Sequence, residues 1–144
     1  MSRPAASDSL EIARAAADAM WANDAASHAL GVELDEVGPG SARARLRVTE
    51  SMLNGHGICH GGLVFLLADT AFAFACNSHG PETVAAGCDI VFVSPARLGD
   101  ELVAEASERT RFGRNGVYDV TVRRTDGSVV AEFRGQSRTT GTRA

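Results

Sequence analysis

Apolar residues at the start of the chain recur with the spacing of a helix. Ser7 or Asp8 can cap a helix that runs to about Trp21, because apolar side chains form a stripe along one face of that segment. Residues 24–30 predict a second short helical turn, which Gly31 ends. The sequence therefore predicts an N-terminal helix within residues 1–24.

A further helix is predicted in the middle of the chain, in a segment that has no polar face. Residues 61–78, GGLVFLLADTAFAFACNS, are apolar on every side and follow a predicted loop over residues 50–60. A helix of this kind is wrapped by protein and does not lie on a surface. The tripeptide His79-Gly80-Pro81 ends it.

The remaining segments alternate between apolar and polar positions, which is the period of a half-buried strand. The predicted strands are 32–37, 42–48, 83–93, 101–110, 116–124 and 128–138. The order is therefore helix, two strands, buried helix, four strands. A long antiparallel sheet that curls around one central helix satisfies this order, an α+β arrangement known as the hotdog fold. One domain is expected over 25–140 and a tail over 141–144, and a partner subunit is expected to complete the cover of the helix.

Composition limits the functions that the chain can serve. The 144 residues carry a net charge of −4, which does not favour nucleic acid or an anionic membrane as a partner. All 14 basic residues are arginine, so chemistry that needs a lysine amine is excluded. No signal peptide is recognisable at the start, and the longest apolar run is short for a membrane span and is interrupted by Asp69. Three widely spaced cysteines form no CxxC pair, and a cytoplasmic protein is expected.

Asp69 is the first candidate for chemistry. It lies in the middle of the apolar helix, where an ionised carboxylate costs several kcal/mol unless it has a partner. The alternative is an aspartate that meets solvent or an arginine at a groove. Because the helix has no other polar face to account for it, a functional role is favoured.

The beginning of the same helix carries two further features. His60-Gly61-Gly62 leaves the free N–H groups of the first turn open to a ligand, and the helix dipole adds positive charge there. Such a site can polarise a carbonyl and stabilise an oxyanion, although ordinary loop-to-helix geometry explains it equally well. Asn54, in the preceding loop, can orient a water molecule or simply form an Asn-Gly turn.

Helix geometry links these features to an oligomer. Gly61 and Asp69 are eight residues apart, which is about 12 Å along a helix at 1.5 Å per residue. A single helix cannot bring both residues to one carbonyl carbon, whereas two antiparallel copies can. The predicted site therefore lies at a dimer interface.

Three blocks of sequence, in order, resemble the phenylacetic-acid-degradation branch of the hotdog thioesterases. They are NGHGICHGGLVFLLADTAFAFACNSHG at 54–80, VFVSPARLGDELVAEA at 91–106 and GRNGVYDVTV at 113–122. The likeness covers roughly residues 25–140. It implies an enzyme that hydrolyses an acyl-CoA thioester, with phenylacetyl-CoA or its ring-hydroxylated relatives as substrates. It also implies a homo-oligomer, a dimer of dimers, and no cofactor, because CoA is part of the substrate.

The resemblance also implies roles for individual residues. Asp69 would be the acidic catalytic residue, the Gly61 N–H the oxyanion donor, Asn54 a residue that positions water or substrate, and His60 a support for the loop or the thioester. CoA would be held by Ser94, Pro95, Arg97, Gly99, Arg111, Gly113, Arg114 and Asn115, with the three arginines near its phosphates. Some relatives carry a hydroxyl one turn after the acid, where this chain has Ala73. Placement of water would then depend on Asn54 or Thr70.

Several alternatives stay open or are disfavoured. The sequence does not decide whether Asp69 acts as nucleophile or as general base. A non-catalytic acyl-CoA binder or sensor and a hotdog dehydratase or hydratase are the competing functions. A zinc site at His56 and His60 is disfavoured because glycines make that segment a loop, so no metal is expected. Cys59 is expected to be a packed thiol. Phe65, Phe72, Phe74 and Met52 are candidates either for an aromatic pocket or for the core.

Overall fold

The computed structural model describes residues 5–141, and all ten of the elements below lie within that range. The helices are α1 (Ala6–Ala22), α2 (Ala25–Leu30) and α3 (Gly61–Cys76), with a 3₁₀ turn at Glu50–Met52. The strands are β1 (Glu33–Gly38), β2 (Ser41–Arg47), β3 (Thr83–Phe92), β4 (Glu101–Phe112), β5 (Asn115–Arg124) and β6 (Val129–Thr139).

The six strands form one antiparallel sheet in the order β1-β2-β4-β5-β6-β3. Helix α3 packs across its inner face, chiefly against β2, β4 and β5. Helix α1 packs against β1 beside α3. The predicted arrangement, a long sheet around one central helix with an extra N-terminal helix, is confirmed.

Small side chains on the sheet let α3 approach closely. Ala44 on β2 pairs with Ala104 on β4, and both are fully buried beneath the helix. On β6, a Cβ added to Gly135 would lie 2.6 Å from the ring of Phe72. The aromatic side chain of α3 therefore occupies the space that any other residue at 135 would need.

The start of helix α1 differs from the prediction made from the sequence. Helix α1 begins at Ala6 with Ala5 as its N-cap, and no side chain caps it, so the predicted cap at Ser7 or Asp8 is wrong. Helix α2 is capped by Asp24, whose carboxylate accepts the Ser27 N–H at 3.1 Å, and it ends at Gly31 as predicted. Residues 1–4 and 142–144, which belong to the predicted N-terminal segment and tail, lie outside the described residues.

The two edges of the sheet are β1 and β3. Strand β3 pairs only with β6 and leaves its other edge open within residues 5–141. Its exposed side chains are largely apolar, with Val91 60% and Phe92 54% exposed. An open apolar edge of this kind is a ready site for pairing with another strand. No helix in the described part of the chain is long and apolar enough to cross a membrane.

Candidate active site

Asp69 is a half-buried carboxylate without a partner. Its side chain makes no hydrogen bond or ion pair to any residue of the range 5–141. Burial raises the pKa of the Asp69 carboxyl above its ordinary value. Burial and the nearby Asp69 charge also raise the pKa of the Cys88 thiol, which places Asp69 beside the edge strand β3. A carboxylate kept poorly solvated and unpaired is suited to act as a base or a nucleophile.

The first turn of α3 presents an open backbone donor. His60 is the N-cap, and its Nδ1 accepts the Gly62 N–H at 3.1 Å. An imidazole that accepts at Nδ1 carries its proton on Nε2, where it can donate to a ligand. The Gly61 N–H, between the cap and Gly62, has no partner among residues 5–141. The helix end therefore offers two donors to an oxyanion.

Asn54 organises the loop that leads to this helix. Its Oδ1 accepts the backbone N–H groups of His56 at 2.9 Å and of Ile58 at 3.3 Å. The side-chain oxygen therefore stabilises the loop turn, which is the second of the two roles that the sequence suggested for Asn54. The Asn54 amide NH₂ makes no hydrogen bond within the described chain, so any contact with a substrate or water would come from this donor.

Thr70, the other residue considered for placing water, is buried and bonded to its own helix. Its hydroxyl donates to the Leu66 carbonyl at 2.8 Å, an ordinary bond for a helical threonine. The hydroxyl proton is therefore committed to the backbone. Of the two residues considered, Asn54 retains a free donor and Thr70 does not.

The first predicted CoA-binding segment lies at the Gly61 end of α3. The Cys59 N–H donates to the Ala96 carbonyl at 2.8 Å, which joins the segment 94–99 to the loop before the helix. Within the segment, Ser94 donates its hydroxyl to the Val129 carbonyl at 2.6 Å, and Gly99 turns the chain at a φ of 86°. Pro95 and Arg97 are exposed, and the Arg97 guanidinium has no partner within residues 5–141.

The second predicted segment lies at the other end of the helix. Arg111, Gly113, Arg114 and Asn115 line a small groove of about 60 Å³ together with Cys76, the last residue of α3. Gly113 forms the tip of the β4–β5 turn at a φ of 59°. Arg111 makes an ion pair, whereas the Arg114 guanidinium has no partner in the described chain.

One chain therefore does not assemble the whole predicted site. Helix α3 has 16 residues and is about 24 Å long, with one CoA-binding segment at each end and Asp69 between them. Asn54, His60, Gly61 and residues 94–99 lie together, while Asp69 and residues 111–115 lie apart from them.

Phe92 is a site residue that the sequence interpretation missed. A Cβ added to Gly61 would lie 3.1 Å from the Phe92 ring, so this exposed aromatic of β3 covers the start of α3. Ile90 and Phe92 are two residues apart on β3, so both lie on the face of the strand that meets the helix. This alternation was the signal in the sequence from which the position of Phe92 could have been predicted.

Three of the four residues considered for an aromatic pocket belong to the core. Phe72, Phe74 and Met52 are at most 3% exposed, which favours the core, the second of the two alternatives considered for them. Phe65 is half-buried and packs edge-on against Phe133 at 5.4 Å between ring centroids. Cys59 is buried, and burial raises the pKa of its thiol, in line with the packed thiol that was expected.

Comparison with known proteins agrees with this geometry. The profile described as "Thioesterase superfamily" matches residues 56–131, which include α3 with Asp69, the strands β3, β4 and β5, and the start of β6. The chain belongs to the thioesterase superfamily. The enzyme class predicted from the sequence, a thioester hydrolase, is thereby confirmed.

Several known proteins are similar to this chain in sequence and structure. Acyl-coenzyme A thioesterase PaaI of Escherichia coli K12 is 46% identical over 125 residues, 87% of this chain and 89% of that one. The structure of the E. coli PaaI protein, from the phenylacetic acid degradation operon, has a TM-score of 0.90 at 44% identity and covers 94% of this chain and 99% of that one. The smu.793 protein of Streptococcus mutans UA159, bound to acetyl-CoA, has a TM-score of 0.75 at 26% identity, with 78% and 91% covered.

Proposed function

We propose that this thioesterase hydrolyses acyl-CoA thioesters, with phenylacetyl-CoA or ring-hydroxylated phenylacetyl-CoA as its substrates in aromatic catabolism. The observation that carries the proposal is the unpaired, half-buried Asp69 on α3, in a chain 46% identical to E. coli PaaI. The products are the free acid and CoA. The reaction consumes only water, so no cofactor is required, and the three free cysteines suit a cytoplasmic enzyme.

In the proposed reaction, the start of α3 stabilises negative charge and Asp69 supplies the base or the nucleophile. The thioester oxygen accepts hydrogen bonds from the Gly61 N–H and the His60 Nε2–H, which stabilise the negative charge of the tetrahedral intermediate. Asp69 either attacks the acyl carbon, giving a mixed anhydride that water cleaves, or takes a proton from the attacking water. Its raised pKa makes it a stronger base than an ordinary aspartate. In both routes the CoA thiolate leaves and is protonated.

The proposal requires two subunits for each site. Because Gly61 and Asp69 are about 12 Å apart on one helix, the donors of one subunit must meet the Asp69 of another. Pairing of two β3 edges in antiparallel fashion would set the two α3 helices side by side in opposite directions. The largely apolar, open edge of β3 and the position of Asp69 beside it support this dimer. Two such dimers would form the expected tetramer.

The same arrangement would unite the two halves of the CoA site. Segment 94–99 lies at the Gly61 end of α3, and residues 111–115 lie at its far end. In an antiparallel pair, each segment 94–99 approaches residues 111–115 of the other subunit. One CoA molecule would then contact both segments, with its thioester beside the Gly61 end.

The test is a panel of acyl-CoA thioesters, assayed for free thiol with a thiol-reactive dye. We expect the largest kcat/KM for phenylacetyl-CoA and its ring-hydroxylated forms and lower values for aliphatic acyl groups, and we expect Asp69→Asn to lower kcat by about 10²-fold or more. Binding of CoA thioesters without thiol release would point to an acyl-CoA sensor. Consumption of an enoyl-CoA without thiol release would point to a hydratase. Either result would overturn the proposal.

A further inference from the structure

A second polar cluster lies at the opposite end of α3 from Gly61, and it centres on a single oxygen of Glu108. The Oε1 atom of Glu108, on β4, accepts the His79 Nε2 at 2.7 Å and the Tyr118 hydroxyl at 2.8 Å. The same atom forms an ion pair with the Arg111 Nε at 3.3 Å. We call these four residues the Glu108 cluster.

The cluster is held firmly by its surroundings. Tyr118 is only 1% exposed, and the Glu108 N–H donates to the Gly40 carbonyl at 2.8 Å in the β1–β2 turn. A Cβ added to Gly40 would lie 3.0 Å from the Glu108 Cβ, so the turn packs directly on this side chain. Burial raises the pKa of Glu108, but the hydrogen bonds from His79 and Tyr118 and the charge of Arg111 outweigh it, and the pKa lies below its ordinary value. Glu108 is therefore a fixed anion.

Arg111 is the most exposed member of the cluster. It is the last residue but one of β4, its side chain is 52% exposed, and it meets Glu108 only through Nε. Its two terminal nitrogens have no partner within residues 5–141. The guanidinium is thus bound to Glu108 through Nε. Its two terminal nitrogens are open, beside the groove that Arg114 also lines. A planar guanidinium whose terminal nitrogens are free can donate two hydrogen bonds to an oxyanion with two acceptor atoms.

We propose that Glu108 is a positioning residue, which holds Arg111 in the orientation that binds a phosphate of CoA. This role rests on the proposed function, since it requires a CoA thioester as substrate. Glu108 itself does not touch the substrate. Its effect comes from preorganisation, because an arginine that is already ordered loses less side-chain freedom when the phosphate binds.

The opposite effect is physically possible, and this makes the proposal testable. A carboxylate beside a phosphate site also repels the phosphate, so a Glu108 that did not orient Arg111 would weaken CoA binding. Replacing Glu108 by glutamine keeps the shape and removes the charge. The sign of the change in KM therefore distinguishes a positioning role from simple repulsion.

The experiment compares a CoA thioester with the pantetheine thioester of the same acyl group, for the wild type, Glu108→Gln, Arg111→Ala and the double variant. We expect Glu108→Gln to raise KM for the CoA thioester about threefold to tenfold, with a much smaller change for the pantetheine thioester. In the Arg111→Ala background, Glu108→Gln should cause no further increase, because the residue it positions is gone. An unchanged or lowered KM, equal effects on both substrates, or additive effects of the two changes would each overturn the proposal.

Asp119→Asn is the matched control. Asp119 is a β5 carboxylate that also binds arginine, at 2.7 Å from the Arg134 Nε, yet it lies next to Tyr118 in sequence and outside the cluster. Its loss should leave both KM values unchanged. If the wild type releases thiol from no CoA thioester, the proposed function has failed. Calorimetric binding of CoA and of pantetheine to the same variants then tests Glu108, and absence of CoA binding by the wild type would overturn this inference as well.

Discussion

The Nδ1 atom of His60 accepts the Gly62 N–H at 3.1 Å, and this one bond prepares the start of α3 for chemistry. It satisfies one donor of the first turn and leaves the neighbouring Gly61 N–H free. It also directs the remaining imidazole proton to Nε2. Capping the helix and presenting donors to a substrate are therefore done by the same side chain.

The role of the Gly61 N–H can be isolated with two substitutions. Proline removes the N–H and suits the first position of a helix, and His60 already has the extended backbone that precedes proline, with φ −59° and ψ 131°. We expect Gly61→Pro to lower kcat by about 10²- to 10³-fold, which is typical for the loss of one oxyanion donor. Thiol release under saturating substrate measures this effect.

Gly61→Ala is the control for added bulk. It keeps the N–H and adds a Cβ that would lie 3.1 Å from the tip of the Phe92 ring, so a shift of this exposed side chain by a few tenths of an ångström would accommodate it. Alanine should therefore retain most of the activity. If alanine and proline lowered kcat to the same extent, crowding at Phe92 would explain the loss, and the oxyanion role of Gly61 would be wrong.

Asp69→Asn keeps the shape of the side chain and removes its charge. If Asp69 is the base or nucleophile, kcat should fall by about 10²-fold or more, while CoA binding stays close to that of the wild type. Thiol release and calorimetric binding of CoA measure the two properties separately. A variant that kept a large share of the wild-type rate would show that Asp69 is structural.

The raised pKa of Asp69 also has a consequence for stability. Since the folded state raises this pKa by burial, the contribution of Asp69 to stability is fully favourable below its unfolded pKa and is lost as pH rises through the folded value. Above the unfolded pKa, burial of this carboxyl therefore destabilises the fold, and Asp69→Asn should have the higher Tm at neutral pH. The difference should shrink as the pH is lowered, which thermal melts across pH can follow. A lower Tm for the asparagine variant at neutral pH would contradict the desolvation argument.

Much of the fold was predictable because each element has a clear local signal. The apolar run of residues 61–78 matches α3 to within two residues, and the alternating segments match all six strands closely. The cap of α1 was not predictable, because Ser7 and Asp8 are good capping residues and yet the helix begins one residue before them. A local rule fails there because a helix end can be satisfied by solvent.

The candidate site was predictable only in part. Asp69 and Gly61 stand out in the sequence because a carboxylate within an apolar helix and glycines at its start are locally unusual. Glu108 carries no such signal, and for Phe92 the signal was limited to its alternation with Ile90 along β3. Their positions depend on the pairing of β3 with β6 and of β4 with β5, which brings together residues far apart in sequence. Likewise, only the folded structure shows that Arg111 forms an ion pair and that the Arg114 guanidinium has no partner within residues 5–141.

Arg114 is the next residue to test for phosphate binding. Its exposed guanidinium has no partner within residues 5–141 and lines the groove at the far end of α3. A contact with a remote phosphate is made equally in the ground state and the transition state, so Arg114→Ala should raise KM and leave kcat nearly unchanged. The increase should be smaller for a pantetheine thioester and should weaken with salt.

Arg109→Ala is the matched control for Arg114. Arg109 is an exposed arginine of the same β4–β5 hairpin, but it already pairs with Asp119 at 3.5 Å. Its removal should not change KM. An equal change in KM for both variants would point to the general loss of positive charge, and no change for Arg114→Ala would remove it from the phosphate site.

A shared active site predicts that two inactive variants restore each other. Gly61→Pro removes the donor of one half of each site, and Asp69→Asn removes the acid of the other half. In a mixed dimer, one site combines the intact Gly61 of one subunit with the intact Asp69 of its partner, while the second site carries both defects. When the two variants are coexpressed with different tags and mixed at random, roughly a quarter of the wild-type sites should return, and about half in dimers purified through both tags. Thiol release per subunit measures this recovery directly. Doubly tagged dimers as inactive as their parents would show that Gly61 and Asp69 act within one chain, and full activity in a monomer measured by light scattering would exclude the shared site altogether.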